Sequence, residues 1–250
     1  MGSKSLRFIV GQMLTTGVVG GVIARCHRDK LKRHGIWFDV AGRPSFIKAA
    51  IFWGLYERSE IRYLKKYLLK DLPIIELGAS IGCVTGHLAA LCRKPIIAVE
   101  ANPYAVTNLL RMIALNRYDN IQVENLVVDY SKCKHVPFRI DDGGLGSHKV
   151  PQNDASSVLI NTGRLCELKR KYNVGEYVLV ADIEGAEVEM FMREEENAAI
   201  RDCRQIFIEL HKTNYCGIDY TTTQISHLIS AKWGMMEIFN DGKVWLFERK

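Results

Sequence analysis

Acidic side chains recur in this sequence at one kind of place, the end of a short apolar run. Glu76 follows Pro73-Ile74-Ile75 and precedes Leu77-Gly78-Ala79-Ser80-Ile81-Gly82. Glu100 closes Ile96-Ile97-Ala98-Val99, and Asp182 follows Tyr177-Val178-Leu179-Val180-Ala181. A buried strand ending in an acid, followed by a glycine turn into a helix, places a nucleotide-like ligand at the carboxyl edge of a parallel sheet. Charge decides which ligand. A dinucleotide site needs G-x-G-x-x-G and a helix N-terminus facing an anionic pyrophosphate. Here Ser80 stands at the second glycine's position, and Glu76 adds negative charge at the turn.

That turn suits a ligand with a cationic amino-acid part and no phosphate. S-adenosylmethionine, with its ammonium and sulfonium, is such a ligand. Gly78, Ala79, Ser80 and Gly82 form the expected donor turn beside Glu76. Glu100, roughly 20 residues after the turn, is placed to accept hydrogen bonds from ribose hydroxyls. Ala101 and Asn102 follow it, and Asn125, in the next expected strand, and Asp182 at the end of a later one complete this cofactor set. Asn102 also reads as a helix cap, with Pro103 at the first helical position. Asn102-Pro103-Tyr104 follows the second strand rather than the fourth and lacks a second proline, so it is not the signature of an amino-group methyltransferase.

The third motif, Asp182-Ile183-Glu184-Gly185-Ala186-Glu187, is followed by the strand Ile206-Phe207-Ile208-Glu209-Leu210-His211. Glu184 and Glu187, three apart, share one face at a helix start, where the macrodipole favours acids. Glu209 and His211 share one side of their strand. Asp182, His211 and Glu209 are therefore the catalytic candidates. An alcohol is a poor nucleophile at neutral pH, so a base helps, and Asp182 and His211 are the groups available. Asp182, Glu209 and His211 could instead hold Mg²⁺, although a hard cation prefers more carboxylates than these. Mg²⁺ is not the favoured reading, and the metal ligands stay open.

Strands are expected near 73–77, 95–99, 121–128, 177–181 and 205–210, and helices near 81–92, 103–116, 185–198 and 222–231. Such alternation predicts a mainly parallel α/β sheet with helices on both faces. Asn240-Asp241-Gly242-Lys243 between two apolar runs predicts a terminal antiparallel hairpin. A parallel sheet closed in this way is the Rossmann-like topology of class I methyltransferases and not of nicotinamide dehydrogenases. Residues 1–70 read as an N-terminal helical cap, with a small strand at Ile36-Trp37-Phe38-Asp39-Val40 and helical periodicity from Phe46 to Leu69; residues 71–250 read as the donor-binding domain. Between Tyr130 and Gln152 the pattern is irregular, with a turn at Asp141-Asp142-Gly143-Gly144, and Arg164 to Lys171 reads as a surface helix.

The net charge of +6 favours anionic partners only mildly. The basic run from Arg25 to Arg33 is interrupted by Asp29 and has no aromatic platform, so nucleic acid is not an expected partner. Seven scattered cysteines without a C-x-x-C pair predict reduced thiols in the cytoplasm. Phe8 to Ala24 is apolar but short and holds Gln12, Thr15 and Thr16. It reads as a packed or interfacial helix rather than a leader or a span, with peripheral membrane contact through the cations that follow.

The motifs together resemble the FkbM family of S-adenosylmethionine-dependent methyltransferases. The resemblance runs from about Ala49 to the C-terminus. It is carried by Tyr56-Glu57 with Glu60, the Glu76-to-Gly82 turn, Glu100-Ala101-Asn102-Pro103, the Asp182-to-Glu187 signature and Ile208-Glu209-Leu210-His211. It adds Glu57 to the cofactor residues. It also implies O-methylation of a hydroxyl on a sugar, glycan, glycolipid or related metabolite, so the expected partner is a sugar, glycan or lipid-linked acceptor. Ala181 stands where members often carry Lys, and Ser80 where they often carry Asn. Two rivals remain: a non-catalytic binding protein on a methyltransferase scaffold, which the intact acids oppose, and a nicotinamide-dependent oxidoreductase, which Ser80 and the hairpin oppose.

Overall fold

The computed structural model describes residues 14–131, 133–140, 148–149, 157–193 and 197–250. Its helices are α1 (Gly17–Cys26), α2 (Ser45–Trp53), α3 (Arg58–Tyr67), α4 (Cys83–Leu91), α5 (Pro103–Asn116), α6 (Leu165–Lys171), α7 (Glu187–Met192), α8 (Asn197–Arg201) and α9 (Thr222–Trp233). Its strands are β1 (Lys30–Arg33), β2 (Ile36–Asp39), β3 (Ile74–Leu77), β4 (Ile96–Val99), β5 (Ile121–Glu124), β6 (Val127–Val128), β7 (His135–Arg139), β8 (His148–Lys149), β9 (Ser157–Gly163), β10 (Tyr177–Ala181), β11 (Cys203–Glu209), β12 (Thr213–Tyr215), β13 (Ile218–Tyr220), β14 (Met236–Asn240) and β15 (Val244–Glu248).

Seven strands form the central sheet, in the order β14-β15-β11-β10-β3-β4-β5. From β11 to β5 neighbours are parallel, and β15 pairs antiparallel with both β11 and β14. A parallel sheet closed by an antiparallel hairpin inserted beside its fifth strand is the class I methyltransferase topology. Side chains alternate between the two faces as the period of two requires. Ile74, Ile96, Ala98, Val178, Val180 and Leu246 join one apolar cluster. Ile75, Ile97, Val99, Leu179, Ala181 and Phe247 join the other. Both faces are buried, which is why these strands read as continuous apolar runs. The first cluster also takes in Leu31, Ile36, Phe38, Ile47 and Leu64, so the N-terminal elements pack on the same face as α4 and α5.

Several expectations need correction. The helical run from Phe46 to Leu69 is two helices, because Gly54 ends α2 in the left-handed region at φ 66°. Glu57 then starts α3, also left-handed. The strand expected over 121–128 is interrupted at Asn125, and β6 leaves the main sheet for a second one ordered β6-β9-β7-β8. That second sheet occupies much of the region read as irregular. The helix expected over 185–198 begins only at Glu187, since Glu184 and Gly185 are left-handed. β1, which pairs with β2, was not expected at all. The turn at Asp141-Asp142-Gly143-Gly144 and all of Phe8 to Met13 lie outside the described residues. None of the seven cysteines forms a disulfide. Among the described residues, no helix is long and apolar enough to cross a membrane.

Candidate active site

A cavity of about 700 Å³ opens at the carboxyl ends of β3, β4 and β10. Glu57, Glu100, Asp182, Glu184 and Glu189 line it, and among the described residues no Lys, Arg or His does. One wall is apolar, made by Val99, Leu126, Val127, Val128 and Phe138.

The turn after β3 is built around backbone donors. The N–H groups of Gly78 and Ala79 both donate to the Val99 carbonyl, at 2.9 Å each. Gly78 has φ +90°, and a Cβ there would lie 1.9 Å from the Asp182 carbonyl oxygen, so only glycine lets β3 and β10 approach this closely. Ser80 also has positive φ, 49°. Its N–H donates to Glu100 Oε2 at 2.7 Å, and Asn102 N–H donates to Glu100 Oε1 at 2.7 Å. Burial raises the Glu100 pKa, and these N–H groups hold it back. Each Glu100 oxygen keeps a lone pair for a ribose hydroxyl.

Gly78, Ser80, Glu100, Ala101, Asp182 and Glu57 line the cavity, whereas Glu76, Ala79, Gly82, Asn102 and Asn125 stand behind it. Asn102 caps α5, its Oδ1 accepting from Tyr104 N–H at 2.9 Å. Asn125 Nδ2 donates to the carbonyls of Glu100 and Ala101 at 2.8 and 2.9 Å, fixing that loop. Gly82 makes room for Met112 and Leu109, whose side chains a Cβ would meet at 2.6 and 2.7 Å. Glu76 is 2% exposed, and neither carboxylate oxygen has a hydrogen-bond partner. Burial pushes its pKa up to about 8. A buried carboxyl left without a donor is costly, and an ammonium group entering this end of the crevice would relieve it. The donor set therefore fits S-adenosylmethionine.

The break between α2 and α3 turns Glu57 toward the same acids. Burial raises its pKa first, then the charges of Asp182 and Glu76. Beyond them, β10, β11 and α7 bring four carboxylates around one imidazole. His211 Nδ1 lies 2.8 Å from Glu187 Oε1, and Glu187 is fully buried. His211 Nε2 lies 3.5 Å from Glu209 Oε1, 3.6 Å from Glu184 Oε2 and 3.8 Å from Asp182 Oδ1. Hydrogen bonds to Glu187 and Glu209 push the His211 pKa up to about 10 despite burial. Those hydrogen bonds favour the protonated imidazolium, which makes His211 a weaker proton acceptor than Asp182. Asp182 shifts in the same direction, toward its neutral form: burial, then the Glu209 charge, raises its pKa to about 7. Lys243 Nζ bonds Glu209 Oε2 at 2.6 Å. Burial works against Glu209, yet His211 and Lys243 hold its pKa below the ordinary value.

Asp182, Glu184 and His211 each offer a ligand atom, all within 4.8 Å of one another. A divalent cation could enter here only by displacing the His211 proton. Glu184 replaces Glu209 in the expected Mg²⁺ set, because Glu209 is engaged by Lys243. Lys243 and the apolar wall at Leu126 to Val128 and Phe138 escaped the sequence reading. The one usable signal was Lys243 at the end of the predicted hairpin turn.

No family model matches the chain, and no curated protein matches it. Solved structures do. Trm5b from Pyrococcus abyssi is 13% identical, with TM-score 0.45 over 87% of this chain and 53% of its own, so the chain spans about half the length of that protein. Precorrin-6y C5,15-methyltransferase from Geobacter metallireducens is 12% identical, with TM-score 0.43 over 76% of this chain and 86% of its own. TYW2 from M. jannaschii, solved in complex with AdoMet, is 14% identical, with TM-score 0.41 over 88% of this chain and 86% of its own. The class I methyltransferase fold is carried by the strand order and the terminal hairpin rather than by these distant likenesses.

Proposed function

We propose that the protein is an S-adenosylmethionine-dependent O-methyltransferase, related in its motifs to the FkbM family, acting on a hydroxyl of a sugar, glycan, glycolipid or related metabolite. The observation that carries this reading is the run of acids at consecutive strand ends, Glu76, Glu100 and Asp182, around a cavity lined by carboxylates and, among the described residues, by no cation. Such a crevice repels a pyrophosphate and attracts a ligand of positive charge.

The donor supplies an electrophilic methyl on a sulfonium, and the chain supplies alignment, charge and a proton acceptor. Glu100 and Ala101 hold the ribose end, the wall from Leu126 to Val128 with Phe138 covers the base, and Glu76 and Gly78 serve the amino-acid end. Asp182 titrates near neutrality, the condition for an efficient general base, and takes the hydroxyl proton at its carboxylate. Protonated His211, anchored by Glu187, offsets part of the repulsion among Asp182, Glu184 and Glu209. Mg²⁺ is not required by this scheme. Val18, Val19 and Val22 on α1 are exposed beside Arg25 and Arg28, which supports peripheral contact with an anionic membrane.

The test is methyl transfer from labelled S-adenosylmethionine to glycan and lipid fractions, with Asp182→Asn as control. Label entering base-stable ether linkages in the wild type alone supports the reading; label in protein or RNA, or none in any fraction while donor binds, overturns it.

A further inference from the structure

On the far side of Tyr56 from the donor crevice lies a second cavity, of about 370 Å³, between the β1–β2 hairpin, the α2–α3 junction and α4. Its charge is opposite. Arg33, Arg58, Arg62 and Lys65 line it, and among the described residues no carboxylate does. None of the four has a carboxylate partner among the described residues; Arg62 reaches only the Tyr63 hydroxyl, at 2.6 Å. Arg33 Nε is buried and has no hydrogen-bond acceptor. A buried guanidinium donor without an acceptor costs stability unless a ligand oxygen supplies one. The floor is apolar, with Phe38 and Ile51 both nearly inaccessible.

We propose that this cavity binds a phosphate group, carried by the molecule whose hydroxyl is methylated. Guanidinium groups and a lysine converging without counter-charge recognise phosphate oxygens by charge-assisted hydrogen bonds. Tyr56 lines both cavities, so a ligand held here lies one aromatic side chain from the donor crevice. The positive field is felt by the cavity's own histidines. Burial, then Lys65 and His34, pushes His87 down to about 4, leaving it neutral. Burial, Lys65 and Arg33 also lower His34. The apolar floor accepts the uncharged part of the ligand next to its phosphate. This narrows the acceptor class to phosphorylated hydroxy compounds and rests on the methyltransferase reading only for the link to catalysis; the anion site itself stands apart from it.

The phosphate has two sources, a soluble phosphomonoester or a lipid headgroup, and the test has an arm for each. Trp53 lines the cavity and reports occupancy by its fluorescence. The full chain is titrated with inorganic phosphate, and separately sedimented with phosphatidylcholine vesicles with and without phosphatidic acid. Arg33→Gln and Lys65→Gln are compared with wild type, Lys65 being exposed and safe for folding. Saturable phosphate binding, weakened roughly tenfold or more by each substitution, supports a soluble phosphate source. Binding to phosphatidic acid vesicles alone, equally sensitive to Lys65→Gln, supports the headgroup. Calorimetry with S-adenosylmethionine is run on the same samples, and both substitutions leave that affinity unchanged. No saturable binding in either arm, or binding indifferent to both substitutions, overturns the proposal, whatever the donor titration shows.

Discussion

Two cavities meet at Tyr56, and they are built from opposite charges. Among the described residues, the crevice at the strand ends gathers Glu57, Glu100, Asp182, Glu184 and Glu189 with no cation in its lining, whereas the cavity under the β1–β2 hairpin gathers Arg33, Arg58, Arg62 and Lys65 with no acid. The difference lies in how the chain tolerates the concentrated charge. In the crevice it supplies internal counter-charge, His211 and Lys243, and raises acid pKa values by burial. In the cationic cavity the described residues supply no acidic partner, and the pKa values of the neighbouring His34 and His87 are lowered instead. One region is partly balanced by its own cations; the other is left for a ligand to balance.

The largest expected effect comes from removing the crevice's counter-charge. His211→Ala leaves Glu187 fully buried with no cation beside it. Breaking a buried pair by deleting one partner costs about 3–5 kcal/mol. Denaturant unfolding should show a loss of that size, and a variant as stable as wild type would break the claim that His211 holds the acids together. Asp182→Asn comes next: it should lower turnover by about 10²–10⁴-fold, with donor affinity little changed. Equal losses in turnover and donor affinity would assign Asp182 to donor binding instead.

A third expectation concerns pH. Asp182 and Glu76 have folded pKa values near 7 and 8, above their ordinary 3.8 and 4.5. A raised acid pKa favours the protonated folded state, so that contribution is lost as pH rises from the ordinary value through the folded one. His211, raised from 6.5 to about 10, stabilises fully below 6.5 and loses that contribution as pH rises through 10. Both signs agree, so the ligand-free protein should melt at lower temperature at about pH 9 than at about pH 5, and Glu76→Gln should flatten the slope. A melting temperature that climbs over this range would contradict the burial of these acids. The smallest effect is at α1, where flotation with acidic liposomes should occur at low salt and fade at high salt.

The central strands and the hairpin were legible because each has a direct local cause. Ile74 to Leu77 and Tyr177 to Ala181 are buried on both faces and so are apolar throughout, and Asp241-Gly242 is turn chemistry. The second sheet was not legible. β7 carries Pro137, tolerated because β8 pairs only with Phe138 and Arg139, and β9 leaves Leu159 exposed, so neither shows a clean alternation. The strand-end acids could be read, but their relations could not. Glu57 enters the crevice through a break set by Gly54, Lys243 reaches Glu209 across the β11–β15 pairing, and the His211 proton is fixed by Glu187, 24 residues away. Such long-range contacts set pKa values, and no local pattern records them.

The most direct test of the acidic crevice is a calorimetric titration of the wild type and Glu100→Ala with S-adenosylmethionine and, separately, with NAD. Wild type should bind S-adenosylmethionine saturably and give no heat with NAD. Glu100→Ala should weaken donor binding by about 1.5–3 kcal/mol, the worth of a hydrogen bond to a charged group. Saturable NAD binding without S-adenosylmethionine binding would contradict the account.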